Sequence, residues 1–307
     1  MSTSLYRKFC LLTAISLASL TVSAQVIKID STSNWRKFLK AGLNINQSAF
    51  SGNWKGGGVT SFGFNALLNY KASYKKNKTT WDNEIDLLYG MVNNQGQGVR
   101  KTMDRFYLDT KVGHKLSDTW DAFVGINLLS QFANGYKYVK DANGVEQGNL
   151  ISQSFAPIFI TTTLGAEWKP VSFFKMRFSP LAPRVTILRD NDGRYATVDP
   201  NAPYGVTVGK MERFEWYAAN MTADLDKDIA KNVNLKVRYL MFANYQTLEI
   251  NKIDHRIDLS MTARVGRFFN VNFGGIFLYD FDQDNSPQYS QAISLGFLYT
   301  FQNFATK

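Results

Sequence analysis

The chain has 307 residues, of which 45% are apolar and 14% aromatic, and 35 Lys and Arg against 25 Asp and Glu give it a formal charge of +10. A single cysteine, Cys10, excludes an internal disulfide staple and a thiolate metal cluster. The basic excess comes with no basic helix or ordered recognition motif, so nucleic acid is excluded as a partner, and an anionic lipid surface or anionic solutes become the expected counterparts.

At the N-terminus, Arg7 and Lys8 precede an apolar run over 9–22 that closes on Val22-Ser23-Ala24, small residues where a signal peptidase cuts. Residues 1–24 are therefore expected to be a signal peptide and 25–307 the mature domain. Cys10 lies within the leader, so the mature chain is expected to carry no thiol, and loss of Arg7 and Lys8 lowers the charge by two. No other stretch approaches the ~18 consecutive apolar residues of a membrane helix.

From there the chain alternates with period two. Val233, Leu235, Val237, Tyr239 and Met241 interleave with Asn234, Lys236 and Arg238, and Ile257, Leu259 and Met261 interleave with Asp254, Arg256, Asp258, Ser260, Thr262 and Arg264. Successive strand residues point to opposite faces, so each segment has one apolar and one polar face. Twelve such segments are predicted, at 37–49, 59–74, 81–91, 101–114, 120–132, 155–168, 172–188, 214–225, 232–245, 253–265, 268–281 and 289–301. Many reach about 13 to 16 residues, against roughly 5 to 6 for a soluble strand and ~9–11 for an oblique bilayer crossing.

Connections after even-numbered segments are brief (75–79, 115–118, 169–170, 226–231, 266–267), whereas 133–154 and 189–213 follow odd ones. Short periplasmic turns alternating with longer outer loops characterise an outer-membrane barrel. The expected fold is all-β, an antiparallel transmembrane β-barrel of about 12 strands with both chain ends in the periplasm. A mean hydropathy of -0.23 is consistent with this, because alternation hides the apolar half. Aromatic residues near segment ends are candidate interfacial girdles, and Phe301 or Phe304 is a candidate terminal signal for the barrel assembly machinery.

With the apolar phase toward lipid, Asp82, Glu84 and Asp86 on the third segment, Arg105, Asp109 and Lys111 on the fourth, and Lys236, Arg238, Asp254, Arg256, Asp258 and Arg264 on the ninth and tenth face the lumen. They can form a charged pore or a ladder of ion pairs that fills a narrow interior. The Gly-rich stretch at Asn53, Trp54, Gly56 and Gly57 should be an outer turn, and it lacks the Lys-Ser/Thr ending of a phosphate loop. Arg100 and Lys101 follow another outer loop, within reach of lipopolysaccharide phosphates. Asp224/Asp226/Asp228, Asp280/Asp282/Asp284 and Asp190/Asp192 offer oxygen ligands of the kind calcium takes, without completing an EF-hand. Of the two histidines, His114 ends one segment and His255 begins another on its apolar phase, with no Ser two residues on to share its face. No cofactor motif is found.

The stretch Gly42-Leu43-Asn44-Ile45-Asn46-Gln47-Ser48-Ala49-Phe50, followed by Asn53-Trp54-Lys55-Gly56-Gly57-Gly58, resembles the opening signature of a Bacteroidota outer-membrane β-barrel family catalogued as domain of unknown function 3078. Trp81-x-Asn83-x-x-Asp86-x-x-Tyr89-Gly90, Lys101-x-x-Asp104, Gln131-Phe132-x-x-Gly135-Tyr136, Ala156-Pro157 and Ser179-Pro180 are similar to later blocks in the same order. The resemblance implies a barrel in the outer membrane of a Gram-negative cell and names no substrate. Three functions stay open: a channel for small polar solutes, a closed barrel serving as scaffold or accessory subunit of an envelope complex, and an outer-membrane hydrolase. The residues favour a protein that is not an enzyme.

Overall fold

In the computed structural model, residues 33–51, 55, 59–247, 249–265 and 269–304 are described, with the backbone of Gln25–Ile27. The predicted leader 1–24, the predicted outer turn at Asn53, Trp54, Gly56 and Gly57, and the predicted connection 266–267 lie outside the described residues.

The alternation is realised as twelve wall strands: β1 Trp35–Ser48, β2 Ser61–Lys76, β3 Thr79–Asn94, β4 Gly98–Lys115, β5 Trp120–Ser130, β6 Ile158–Val171, β7 Phe174–Leu181, β8 Ala218–Ala230, β9 Val233–Asn244, β10 Asp254–Val265, β11 Phe269–Asp280 and β12 Asp284–Gln302. Each pairs antiparallel with the next, and β12 returns to β1 from Gly296↔Asn44 to Gln302↔Phe38, closing the sheet. Closure is what permits strands to cross a bilayer, because each backbone N–H and C=O finds a partner in the next strand. Below β11, Gln25–Ile27 adds in parallel to Thr300–Gln302.

Two turns are tighter than the sequence predicts. β2 and β3 pair down to Lys76↔Thr79, and β8 and β9 pair down to Ala230↔Val233. Asn77 and Asn232 supply the left-handed backbone, at φ 53° and 66°. β8 runs past 225 because Asp226 and Asp228 continue its polar phase. The seventh predicted strand, in contrast, is broken at Ala182-Pro183, where proline has no N–H for the ladder. Beyond the break, Arg184–Ile187 pairs with β6 and with Glu212–Glu215, itself separated from β8 by Trp216-Tyr217. At Gly165 the carbonyl of Phe178 on β7 lies so close that an added Cβ would collide with it, so glycine sets the β6–β7 approach.

Burial is inverted relative to a water-soluble domain. Glu167, Asn270, Thr186 and Ser179 are among the most buried side chains, while Ile293 on the outer face is 72% exposed. Leu43, Ile45, Phe62, Val124, Leu164 and Leu295 share that outer face. At the short-turn end, Trp35 packs on Tyr74 and Trp81, and Trp120 stacks on Trp168, forming an interfacial girdle. At the long-loop end, a hairpin of Gly135–Lys140 with Glu146–Ser152 projects from the β5–β6 connection. Beside it, Leu188, Tyr195, Tyr204 and Val206 of the β7–β8 loop bury against Ala156.

Candidate functional site

The lumen is the candidate site, and its lining follows from strand phase. All twelve charges assigned to it by alternation lie on the inward phase, and all but Arg264 are ion-paired among the described residues, several of them across the barrel. Glu84 on β3 receives Nη2 of Arg238 on β9 at 2.8 Å, although those strands stand on opposite walls. Arg238 also donates Nε to Asp224 on β8 at 2.5 Å and lies over the Tyr107 ring, 5.1 Å from its centre. Asp224 is 3.9 Å from Arg177 on β7, which donates to Asp109 on β4 at 2.9 Å.

The pairing continues below this tie. Lys111 on β4 contacts both carboxylate oxygens of Glu167 at 2.6 Å and reaches Asp82 at 3.4 Å. Lys169 bonds Asp121 and lies 3.4 Å from Glu167. The β4–β7 side of the lumen is thereby filled by charge pairs. Such pairs persist at low exposure because each charge faces a counter-charge, even though Arg177 Nε and Asp224 Oδ2 have no hydrogen-bond partner among the described residues.

Closer to the outer surface, Arg105 on β4 donates to Asp86 and to Asp258 on β10, each at 3.0 Å, and Arg256 grips Asp258 with two bonds of 2.9 Å. Asp254 is held by Arg184 at 2.9 Å. Lys236 is 3.4 Å from Glu84, and Arg264 has no ion pair among the described residues. Sequence reasoning missed Lys40, Lys71, Glu167, Arg177, Arg184 and Asp224 as lumen residues. The signal was present for Glu167, which is in phase with Thr161 and Thr163, and for Asp224, in phase with Asn220 and Thr222; Arg177 and Arg184 flank the proline break that obscures phase.

Two cavities stand out among the described residues. A vestibule of about 650 Å3 lies toward the short turns, lined by β1–β3 and β8–β12 with a margin of β4. A chamber of about 200 Å3 lies toward the outer loops, where Tyr204 helps to line it. Arg105 lines both.

Other candidate residues have local partners. Arg100 pairs with Glu146 and lies over the Tyr138 ring at 4.2 Å, while Lys101 donates to Asp104 at 3.0 Å. Both therefore hold the outer hairpin. Of the acidic clusters, Asp224 serves Arg238, Asp282 receives Arg213 at 2.5 Å, and Asp192 is gripped by Arg194; no metal-sized group of carboxylates and histidines occurs among the described residues. His255 stacks on Tyr239, whose hydroxyl is 2.7 Å from Nδ1. No serine is hydrogen-bonded to His255 among the described residues, so the geometry adds nothing to the hydrolase reading.

The closed sheet, lipid-facing apolar belt and charged interior together define a transmembrane β-barrel. Within that class, residues 45–136, from inside β1 to the outer hairpin, match the model of a family described as Protein of unknown function (DUF3078). Comparison with curated proteins gives no match. Among solved structures, the translocator domain of autotransporter NalP from Neisseria meningitidis is similar at 10% identity, covering 96% of this chain and 95% of that one, with a TM-score of 0.33. An outer membrane channel from Pseudomonas putida F1 is similar at 8% identity, covering 91% and 98%, with a TM-score of 0.39. The NanC porin is similar at 9% identity, covering 85% and 98%, with a TM-score of 0.37.

Proposed function

We propose that the protein is an outer-membrane channel for small polar solutes whose resting lumen is shut near mid-height by ion pairs. The observation that carries this reading is the position of Arg105: it lines both cavities, and Asp86 and Asp258 hold it there. The partition is made of strand side chains, which can rotate without displacing backbone, so opening asks for exchange of partners and leaves the wall intact. Lipopolysaccharide around the belt and the barrel assembly machinery are the partners this reading implies.

The closed-scaffold reading for an envelope complex draws on Glu84–Arg238, whose side chains are each 8% exposed. Breaking such a buried pair by removing one partner costs about 3–5 kcal/mol, enough to hold a lumen shut. Planar-bilayer conductance separates the two. The channel reading expects brief small steps from the wild-type barrel and longer, larger ones from Arg105→Ala. Silence from folded Arg105→Ala and from folded Arg105→Ala/Arg238→Ala would discard the channel and leave the scaffold.

A further inference from the structure

We infer that the vestibule on the short-turn side contains a binding site for a small oxyanion, formed by Lys40, Lys71, Lys236 and Arg264. Its meaning as a solute site rests on the channel reading above; its existence rests on charge placement.

The vestibule lining carries more cations than its carboxylates compensate. Arg105 is satisfied by Asp86 and Asp258, and Arg238 by Glu84 and Asp224. Glu84 is then shared, since Lys236 lies 3.4 Å and Lys71 4.0 Å from the Oε1 that also accepts from Asn69. Lys40 has no ion pair among the described residues, and its Nζ rests 3.3 Å from Thr262 Oγ1. Arg264 also has none, and it is exposed at the mouth.

Two carboxylates oppose these cations, Asp226 and Asp228, and both are exposed near the turn end of β8, where Asn234 donates to them at 3.1 and 3.0 Å. Asp226 is also 3.9 Å from Lys71. The mouth is therefore mixed in charge; Asp226, the direct cross-strand neighbour of Lys236, offsets part of the charge of Lys40, Lys71 and Lys236, and a positive excess remains between low-dielectric walls, which concentrate its field. Lysine ammoniums on separate strands, with Thr262, Asn44 and Asn272 between them, suit a ligand that presents several charged oxygens at once. A cation would be repelled, and a neutral solute would leave the excess uncompensated.

Isothermal titration calorimetry of the full-length protein, purified from membranes in detergent, tests this with inorganic phosphate and, separately, succinate at fixed ionic strength. Saturable binding of either is expected, weakened about tenfold by Lys40→Gln, the worth of one charged hydrogen bond, and strengthened by Asp228→Asn, which removes an opposing charge. Phosphate against succinate then tells a phosphoryl from a carboxylate ligand. Absence of saturable heat with both anions, or equal affinity in wild type and Lys40→Gln with the barrel still folded, would overturn the site. Calorimetry needs no conduction: binding with silent Arg105→Ala barrels keeps the site and removes the channel, and conduction without binding does the reverse.

Discussion

Glu84 and Arg238 stand on β3 and β9, opposite walls of a twelve-strand closed sheet, and their side chains meet at 2.8 Å. The contact joins residues separated by 154 positions in the chain and ties the cross-section together from within. Arg238 is placed for it by register, because Arg238↔Asp224 are directly paired neighbours whose side chains share the inward face. One arginine thus carries a cross-strand pair and a cross-lumen pair together.

Glu84→Gln should destabilise the barrel by about 3 kcal/mol, because Arg238, Lys236 and Lys71 lose a shared counter-charge at low exposure. Arg238→Met should cost a similar amount, and the double variant clearly less than the sum. Urea unfolding in lipid vesicles measures all three. Additive losses would mean that the two residues act independently.

Lys111 and Glu167 make a second, deeper pair, with side chains 4% and 1% exposed. Glu167→Gln should again cost about 3 kcal/mol, whereas Lys111→Met/Glu167→Leu should come close to wild type, since removing both charges leaves neither stranded. The same unfolding assay decides it, and a double variant as unstable as the single one contradicts the argument.

Much of this architecture is legible in the sequence, and the division has a physical basis. Period-two alternation fixes phase, so inward assignment of residues such as Asp82, Lys111 and Arg256 follows without knowledge of neighbours. Phase says nothing about distance across a closed sheet, which depends on strand number, tilt and stagger together. Glu84 and Arg238 could each be placed in the lumen, but not their contact. Asp224 illustrates the same gap: its spacing with Asp226 and Asp228 suggests oxygen ligands, while the fold brings Arg238 and Arg177 to it. The Lys101-x-x-Asp104 and Gln131-Phe132 motifs were visible as separate blocks. Their meeting at the outer rim depends on the β4–β5 register, in which Phe106↔Ser130 are paired.

Asp104 is the centre of that meeting. Its carboxylate, 3% exposed, accepts from the backbone N–H of Phe132 at 2.7 Å and of Ala133 at 2.9 Å, and from Lys101. Asp104→Ala orphans two backbone donors at about 1–3 kcal/mol each. The expected outcome is faster proteolytic nicking of the outer hairpin 135–152 with the barrel itself still intact. Unchanged nicking would show that Arg100 on Glu146 and the aromatic contacts of Phe132 with Phe106 and Phe155 hold the hairpin without Asp104.

The β7–β8 loop should let go of the barrel mouth in alkali. Tyr204 is buried and its hydroxyl donates to the Ile151 carbonyl at 2.8 Å, and Tyr195, also buried, donates to the Arg189 carbonyl at 3.0 Å. Burial pushes both hydroxyls above their ordinary value, so the docked loop favours the neutral phenols. Docking is then fully stable below the free-tyrosine value of about 10 and weakens as pH rises from there toward the docked values. Arg213, which holds Asp282 and Glu215 nearby, stays protonated across that window and contributes no slope. Tyr204→Phe should loosen the loop by about 1 kcal/mol at neutral pH through the lost hydrogen bond. Tyr195→Phe/Tyr204→Phe should in addition make its protease resistance nearly flat between pH 8 and pH 11. The rate of cleavage within 188–211, followed against pH, reads this directly, and identical alkaline loss in wild type and the double variant would assign the transition to groups other than these two tyrosines.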